Sequence, residues 1–409
     1  MRILLISAYF PPENGSAANL YHSLGQELVR RGHTVTVLTG MPAYHVTAPA
    51  DRYLGRWFMR EEMDGMRVVR VRALPFSRKN MAGRGLWQLT VAGSLFFGGL
   101  FARRQDVALV YSPPLFLGLT AWGLRLIYGT PFMLNVHDLF PQSAIDLGAL
   151  RNPSVIRALR MVEKFVYRCS NKILVHAPIG PGTLDLGLPA AKVGTFLNWV
   201  DTNTIVPAAK ENALRKELGM EGRFLVSFAG VLGLAQDGDV MLEAAARLGA
   251  KPQIRFLIVG DGLEAPRLKK KAQDLHLNNV LFLPMQSLER YKEVLAASDV
   301  CLVTLRREIK TPVIPSKLGS IFAAGRPVVA CLPPENQVTA WLIDQAGAGI
   351  FLPSNDSEAL ARSIESLRKN RYRGEKMGRA ARVFAEKRLS LETTALRLEI
   401  YIQETLSQT

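Results

Sequence analysis

The chain has 409 residues, 48% hydrophobic and 21% charged, with a formal net charge of +16. That composition excludes a disordered or fibrous chain and fits two or three globular domains at ~150 residues each. Three widely spaced cysteines, Cys169, Cys301 and Cys331, exclude a disulfide framework or cysteine-ligated metal centre and read as reduced thiols.

The opening Arg2–Ser7 run is too short for a secretory signal and reads as a first buried strand. The expected location is therefore cytoplasmic. A helix over Ala17–Arg31, a stop at Gly32 and a strand over Thr34–Leu38 follow. Further strands are expected at Met66–Arg72, Val107–Tyr111, Phe132–Val136 and Lys172–His176, and a break at Asn198-Trp199-Val200-Asp201. The pattern then restarts. Strands are expected at Phe224–Ala229, Arg255–Val259, Val280–Leu283, Val300–Val303, Pro327–Ala330 and Ala348–Leu352, with helices between, the first at Asp239–Leu248. Strand–helix alternation of this kind makes parallel sheets. The expected fold is α/β: two Rossmann-like domains, residues 1–200 and 201–385, with sheets facing an interdomain cleft. A charged helix over 386–409 is a candidate to return to the first domain.

Charge is uneven. Residues 1–200 hold 22 Lys+Arg against 11 Asp+Glu, and residues 201–409 hold 29 against 24. With no nucleic-acid motif present, the expected partners are phosphates and anionic lipid rather than nucleic acid. Leu86–Ala102 is a seventeen-residue run without charge, flanked by Arg78, Lys79, Arg84, Arg103 and Arg104. It falls short of the ~20 residues that span a bilayer. Two readings stay open: a buried core helix, or a helix lying in the membrane interface, which the flanking arginines favour.

Four segments carry candidate chemistry. Gly15-Ser16 follows the first strand and opens a helix, where free amides attract anions; the plainer reading makes Ser16 an N-cap. His137-Asp138 ends an apolar strand, a place for proton handling or sugar binding, or for a packed His beside a capping Asp. Gly260 lies in a strand–turn–helix junction, Val259-Gly260-Asp261-Gly262, that lacks the dinucleotide fingerprint. Ser316 can cap a short helix in whose first turn Lys317 opposes the helix dipole, a frustration that a bound phosphate relieves. His22, His33, His45, His176 and His276 read as packed or solvated. Asp237-Gly238-Asp239 reads as a helix start capped by Asp239, not a metal motif.

In this order and spacing, the Phe10–Ser16 segment, Val136–Pro141, Gly230–Gln236, Val259–Gly262, Leu283-Pro284 and Pro315–Val328 resemble the retaining glycosyltransferases of family 4, which have the GT-B fold. The similarity is to the branch of fucosamine and colanic acid transferases in bacterial polysaccharide synthesis. The resemblance implies a UDP- or GDP-linked sugar as donor and a glycan or lipid-linked oligosaccharide as acceptor, with no metal or other cofactor. It implies that Gly15 and Ser16 lie near the donor phosphates, and that His137 and Asp138 face the sugar and acceptor. It places Gly230, Gly233 and Gln236 in the loop under the pyrophosphate, Leu283 beside the base, and Lys317 on the leaving diphosphate. Two glutamates common in the family fall at Pro312 and Ser320 here, and its Arg and Lys fall near Val231 and Gln236. Ser320 would then bond the ribose weakly, and Arg306 or Arg307 would add charge. A sugar-nucleotide 2-epimerase and a non-catalytic scaffold of the same fold are the alternatives.

Overall fold

The computed structural model describes residues 1–13, 15–43, 51–76, 81–146, 148–176, 187–309 and 313–407. His45, Arg78, Lys79 and Pro312 lie outside the described residues. The chain divides into two compact units: an N-terminal unit of Met1–Asn198 with Leu391–Thr409, and a C-terminal unit of Trp199–Ser390.

The N-terminal unit holds strands β1 (Arg2–Ile6), β2 (Thr34–Gly40), β3 (Phe58–Met63), β4 (Met66–Val71), β5 (Val107–Ser112), β6 (Phe132–Val136), β7 (Lys172–Val175) and β8 (Val193–Thr195). They form one sheet in the order β3-β4-β2-β1-β5-β6-β7-β8. All pairs are parallel except β3 with β4. Strands such as β5 and β6 are buried along their whole length because helices cover both faces. The order reverses at β1, which pairs with β2 on one side and β5 on the other. In open sheets ligands bind outside the carboxyl ends of strands at such a switch.

The antiparallel edge strand β3 was not anticipated. Asp64 and Gly65, both at positive φ (50° and 76°), make the two-residue turn that joins it to β4. Its outer register is charged, which suits an edge. Glu61 on β3 takes the buried Arg70 of β4 at 2.5 Å, and Arg70 also donates to Pro11 O.

The Ser16–Arg30 helix buries Ala18, Tyr21, Leu24, Gly25 and Leu28, a single 3.6-residue stripe. The C-terminal Leu391–Ser407 helix packs on it and buries Thr394, Ala395, Leu398, Ile402 and Thr405. Glu399 on that helix accepts from Arg31 Nε at 2.7 Å and lies 2.8 Å from His33 Nε2. Tyr401 Oη donates to Thr195 O at 3.0 Å.

The uncharged run forms most of the Met81–Gly99 helix, which has two faces. One packs on β2, β4 and the Leu117–Tyr128 helix: Val91, Ala92 and Leu95 are buried, and Thr120 Oγ1 donates to Ala92 O at 2.7 Å. Trp87 belongs to this face, stacked 5.8 Å from Tyr9. Leu86, Leu89, Phe97 and Phe101 are exposed, Phe97 by 64%. Among the described residues no helix is long and apolar enough to cross a membrane.

The C-terminal unit holds β9 (Phe224–Ala229), β10 (Ile254–Val259), β11 (Val280–Leu283), β12 (Val300–Thr304), β13 (Val328–Leu332) and β14 (Gly349–Pro353). They form an all-parallel sheet in the order β11-β10-β9-β12-β13-β14, reversing between β9 and β12. Its core joins Val226, Phe228, Phe256, Ile258 and Leu302 to the helices above them. The helix after β9 runs from Gly238 to Arg247 and its cap is Asp237, which accepts from Val240 N at 3.1 Å. Asp239, expected as the cap, lies in the first turn. It is bound by Arg267 at 2.7 Å and Lys271 at 2.7 Å, cations from the next helix that hold its carboxyl down to about 2. Cys301 and Cys331 are buried, and Cys169 is half-buried.

Candidate functional site

The sequence-derived candidates fall into two groups, one in each unit. In the N-terminal unit, Gly15 rather than Ser16 is the N-cap of the first helix. It is extended (φ 178°), no side chain among the described residues caps the first turn, and a Cβ at Gly15 would meet nothing within 4 Å. Ser16 is the first helical residue and is exposed. Among the described residues the helix start is therefore open, a place where amides attract an oxyanion.

His137 follows β6 directly, its amide bonded to Ser112 O at 2.8 Å. Its ring stacks on Tyr111 at 4.2 Å and meets the His176 ring at 4.0 Å. Asn135 Nδ2 lies 3.0 Å from His137 Nε2 and 3.4 Å from Tyr21 Oη. A donated amide hydrogen leaves the imidazole proton on Nδ1. Desolvation, then the neighbouring His176, holds His137 well below the usual imidazole range, so it is neutral at pH 7. Asp138 is exposed, its carboxylate bonded to the Ser143 side chain and the Leu139 amide.

His176 belongs to this group, although by sequence it reads as packed or solvated. Its Nδ1 lies 2.9 Å from Phe196 O, and burial lowers its pKa to about 4. Among the described residues its Nε2 is buried without a partner, as is Asn135 Oδ1. The usable signal was position: His137 and His176 follow the carboxyl ends of adjacent strands, β6 and β7.

In the C-terminal unit the turns after β9, β10 and β11 are laced together. Gly230 N donates to Val259 O at 2.9 Å, Leu232 N to Asp261 O at 2.9 Å, and Gly260 N to Leu283 O at 3.0 Å. The backbones touch closely enough that a Cβ on Gly260 would fall 1.9 Å from Gly230 O, and both glycines have positive φ (145° and 146°). No other residue satisfies both constraints. Gly233 N is held by Gln236 Oε1 at 3.1 Å, so Gln236 shapes the loop it stands in. Leu283 ends β11, and Met285 N donates to Asp261 Oδ2 at 2.9 Å.

Lys317 opens the Lys317–Ala323 helix. Ser316 holds the N-cap position with helical dihedrals and makes no capping bond, against expectation. Lys317 Nζ sits 3.5 Å from the Phe228 ring centroid and against the first glycine turn, 3.1 Å from where a Gly230 Cβ would be. Desolvation lowers its pKa to about 7, only partly offset by Cys301. The Cys301 thiol is itself pushed up by burial. The structure thus places a desolvated amine of lowered pKa beside a glycine turn at the sheet's switch point.

Two expected ligand contacts already have protein partners. Arg306 Nη2 donates to Glu264 at 2.6 Å and its amide to Ala235 O at 2.9 Å, so it braces the Gly233–Gln236 loop. The Ser320 side chain bonds Tyr291. Phe228, Glu264 and Tyr291 escaped the sequence reading because each meets its partner only through the fold.

Two family models account for nearly all of the chain. The "Glycosyl transferase 4-like domain" matches residues 15–199 and "Glycosyl transferases group 1" matches residues 210–384. The probable glycosyltransferase WbjE of Pseudomonas aeruginosa is 30% identical over 299 residues, covering 72% of this chain and 74% of that one. The putative colanic acid biosynthesis glycosyl transferase WcaI of Escherichia coli (strain K12) is 27% identical over 337 residues, 80% of this chain and 82% of that one. Anabaena HepE, solved with UDP and glucose, superposes with a TM-score of 0.70 at 18% identity, covering 100% of both chains. Two parallel-sheet α/β units, these family matches and these relatives together identify the chain as a glycosyltransferase of family 4 with the GT-B fold.

Proposed function

We propose that this enzyme takes a sugar from a UDP- or GDP-linked donor and adds it, with retention of anomeric configuration, to a lipid-linked glycan precursor of a bacterial cell-surface polysaccharide. The observation that carries the donor assignment is Lys317, whose amine is desolvated against the Gly230 turn with no carboxylate paired to it among the described residues. A diphosphate over that turn supplies the missing charge. The UDP bound in HepE and the polysaccharide named for WcaI support the donor and acceptor classes.

Charge develops on the nucleoside diphosphate as the glycosidic bond to it breaks. A preorganised cation there stabilises the transition state more than the ground state. Lys317 is that cation. Gly230 and Gly260 let backbone approach the phosphates, Gln236 and Arg306 hold the loop, Ser316 and Ser320 border it, and Leu283 flanks the base. The acceptor attacks from the face the diphosphate leaves, and the departing phosphate accepts its proton. In the N-terminal unit, Gly15 and Ser16 offer open amides. His137, neutral with its proton on Nδ1, and the carboxylate of Asp138 offer a donor and an acceptor for sugar hydroxyls. The exposed Leu86, Leu89, Phe97 and Phe101 with Arg84, Arg103 and Arg104 form the surface that meets anionic lipid on the cytoplasmic side, where lipid-linked acceptors are found.

The test is a thermal-shift screen of UDP- and GDP-sugars, since a bound ligand stabilises the native state by mass action. It is followed by transfer of labelled sugar to lipid-linked acceptors. Stabilisation with acceptor-dependent transfer, both lost in Lys317→Ala, is expected. An epimerised donor formed without acceptor, or binding without turnover on any acceptor, would refute the transferase assignment.

A further inference from the structure

The C-terminal unit holds a cavity of about 390 Å³ that the donor reading does not use. It is lined by Phe224, the first residue of β9, by Asp299 just before β12 and by Pro327 just before β13. It therefore lies at the amino edge of the sheet, opposite the edge that carries Gly230 and Lys317. Phe224, Pro327, Pro207 and Leu367 give it apolar walls.

Its charge is unbalanced. The lining includes five cations and two carboxylates, Asp299 and Glu375. Asp299 is already consumed: Lys210 reaches it at 3.1 Å, Arg215 at 2.7 Å and the Leu225 amide at 2.8 Å. Arg326 is left short. It is 6% exposed, its Nη2 donates to Ala208 O at 2.6 Å, and its Nε is buried with no partner among the described residues. A buried guanidinium with no carboxylate in hydrogen-bond reach among the described residues is costly, and an oxyanion is the ligand that offsets its charge. Burial lowers its pKa, in keeping with that deficit. Arg371 and Arg379 stand exposed at the rim. The cavity stays open because the helix over it carries Gly374, where a Cβ would meet only Pro327 Cγ at 3.9 Å.

We propose that this cavity is a binding site for a small phosphate monoester with an apolar body. The oxyanion pairs with Arg326, the rim arginines screen its second charge, and the apolar part lies on Phe224, Pro327 and Leu367. No residue is shared with the Gly230 turn, so the site stands or falls independently of the donor assignment.

Phenyl phosphate is the probe, titrated calorimetrically into the full-length protein at low salt, with inorganic phosphate and phenol as controls. The expected result is saturable binding that phenol does not reproduce and that Lys317→Ala retains. Arg326→Gln and Arg379→Gln should each weaken it, the former by about tenfold or more. Should Arg326→Gln fail to fold, Gly374→Leu serves: it fills the cavity while improving helix propensity. That variant should abolish binding with its melting temperature preserved. Binding unchanged in Gly374→Leu, binding lost only in Lys317→Ala, equal binding of phenol, or no saturation at about 10 mM (the weak end of specific association) would each overturn the proposal.

Discussion

Loading the Gly230 turn with a diphosphate should drive a proton onto Lys317. In the free enzyme desolvation lowers this amine to about 7, offset only in part by Cys301. A diphosphate beside Nζ restores an opposite charge and returns the group to the ordinary lysine range. At pH 8 a group titrating near 7 is about one-tenth protonated, so binding should take up about 0.9 proton; at pH 7 the uptake falls to about 0.5 and at pH 6 to about 0.1. Calorimetry of UDP or GDP binding in buffers of different ionisation enthalpy reads this number directly. Lys317→Met gives the baseline, since the nucleotide's own phosphate titration is common to both proteins. A wild-type uptake at pH 8 no greater than that of Lys317→Met would refute the reasoning, because the amine would then not face the diphosphate.

Gly260→Ala should cost the C-terminal unit about 1–3 kcal/mol or more in urea denaturation, from positive φ and the Cβ clash with Gly230 O. Replacing Leu86, Leu89, Phe97 and Phe101 together by Ser should abolish sedimentation with anionic liposomes while leaving the fold intact. Trp87→Ser should instead destabilise by about 3–5 kcal/mol, because Trp87 packs inward. Glu399 is held down to about 2, first by its Arg31 hydrogen bond. A depressed carboxyl stabilises above its unfolded pKa and loses that contribution as pH falls. Glu399→Gln should therefore remove a component of stability present at neutral pH and absent near pH 2, measured by urea titration across that range.

The buried strands were legible because parallel sheets demand uninterrupted aliphatic runs. Phe132–Val136 and Phe224–Ala229 have the limits their sequences suggest, as does the half-buried edge strand Val280–Leu283. β3 was hidden by its charges, although Asp64-Gly65 carried a hairpin signal. β8, three residues with a central glycine, has no periodicity to read. The Leu86–Ala102 run has one face in the core and the other exposed, so the core reading holds for one face, and membrane contact by the other is what the liposome assay tests. At the candidate site, Gly230, Gly260 and Lys317 were nameable from motif and position. What surrounds them was not. Phe228 beneath Lys317, Tyr291 on Ser320 and Glu264 on Arg306 are brought there by sheet order and helix packing, which no local window contains. Asp237 took the cap from Asp239 because Arg267 and Lys271, a helix away, engage Asp239 instead.

The decisive measurement is a crystal structure of the enzyme with its nucleoside diphosphate. The account predicts the diphosphate over the Gly230 turn, with Lys317 Nζ moved off the Phe228 ring to within about 3 Å of a phosphate oxygen. A diphosphate bound elsewhere in the C-terminal unit, with Lys317 still seated on Phe228, would contradict it.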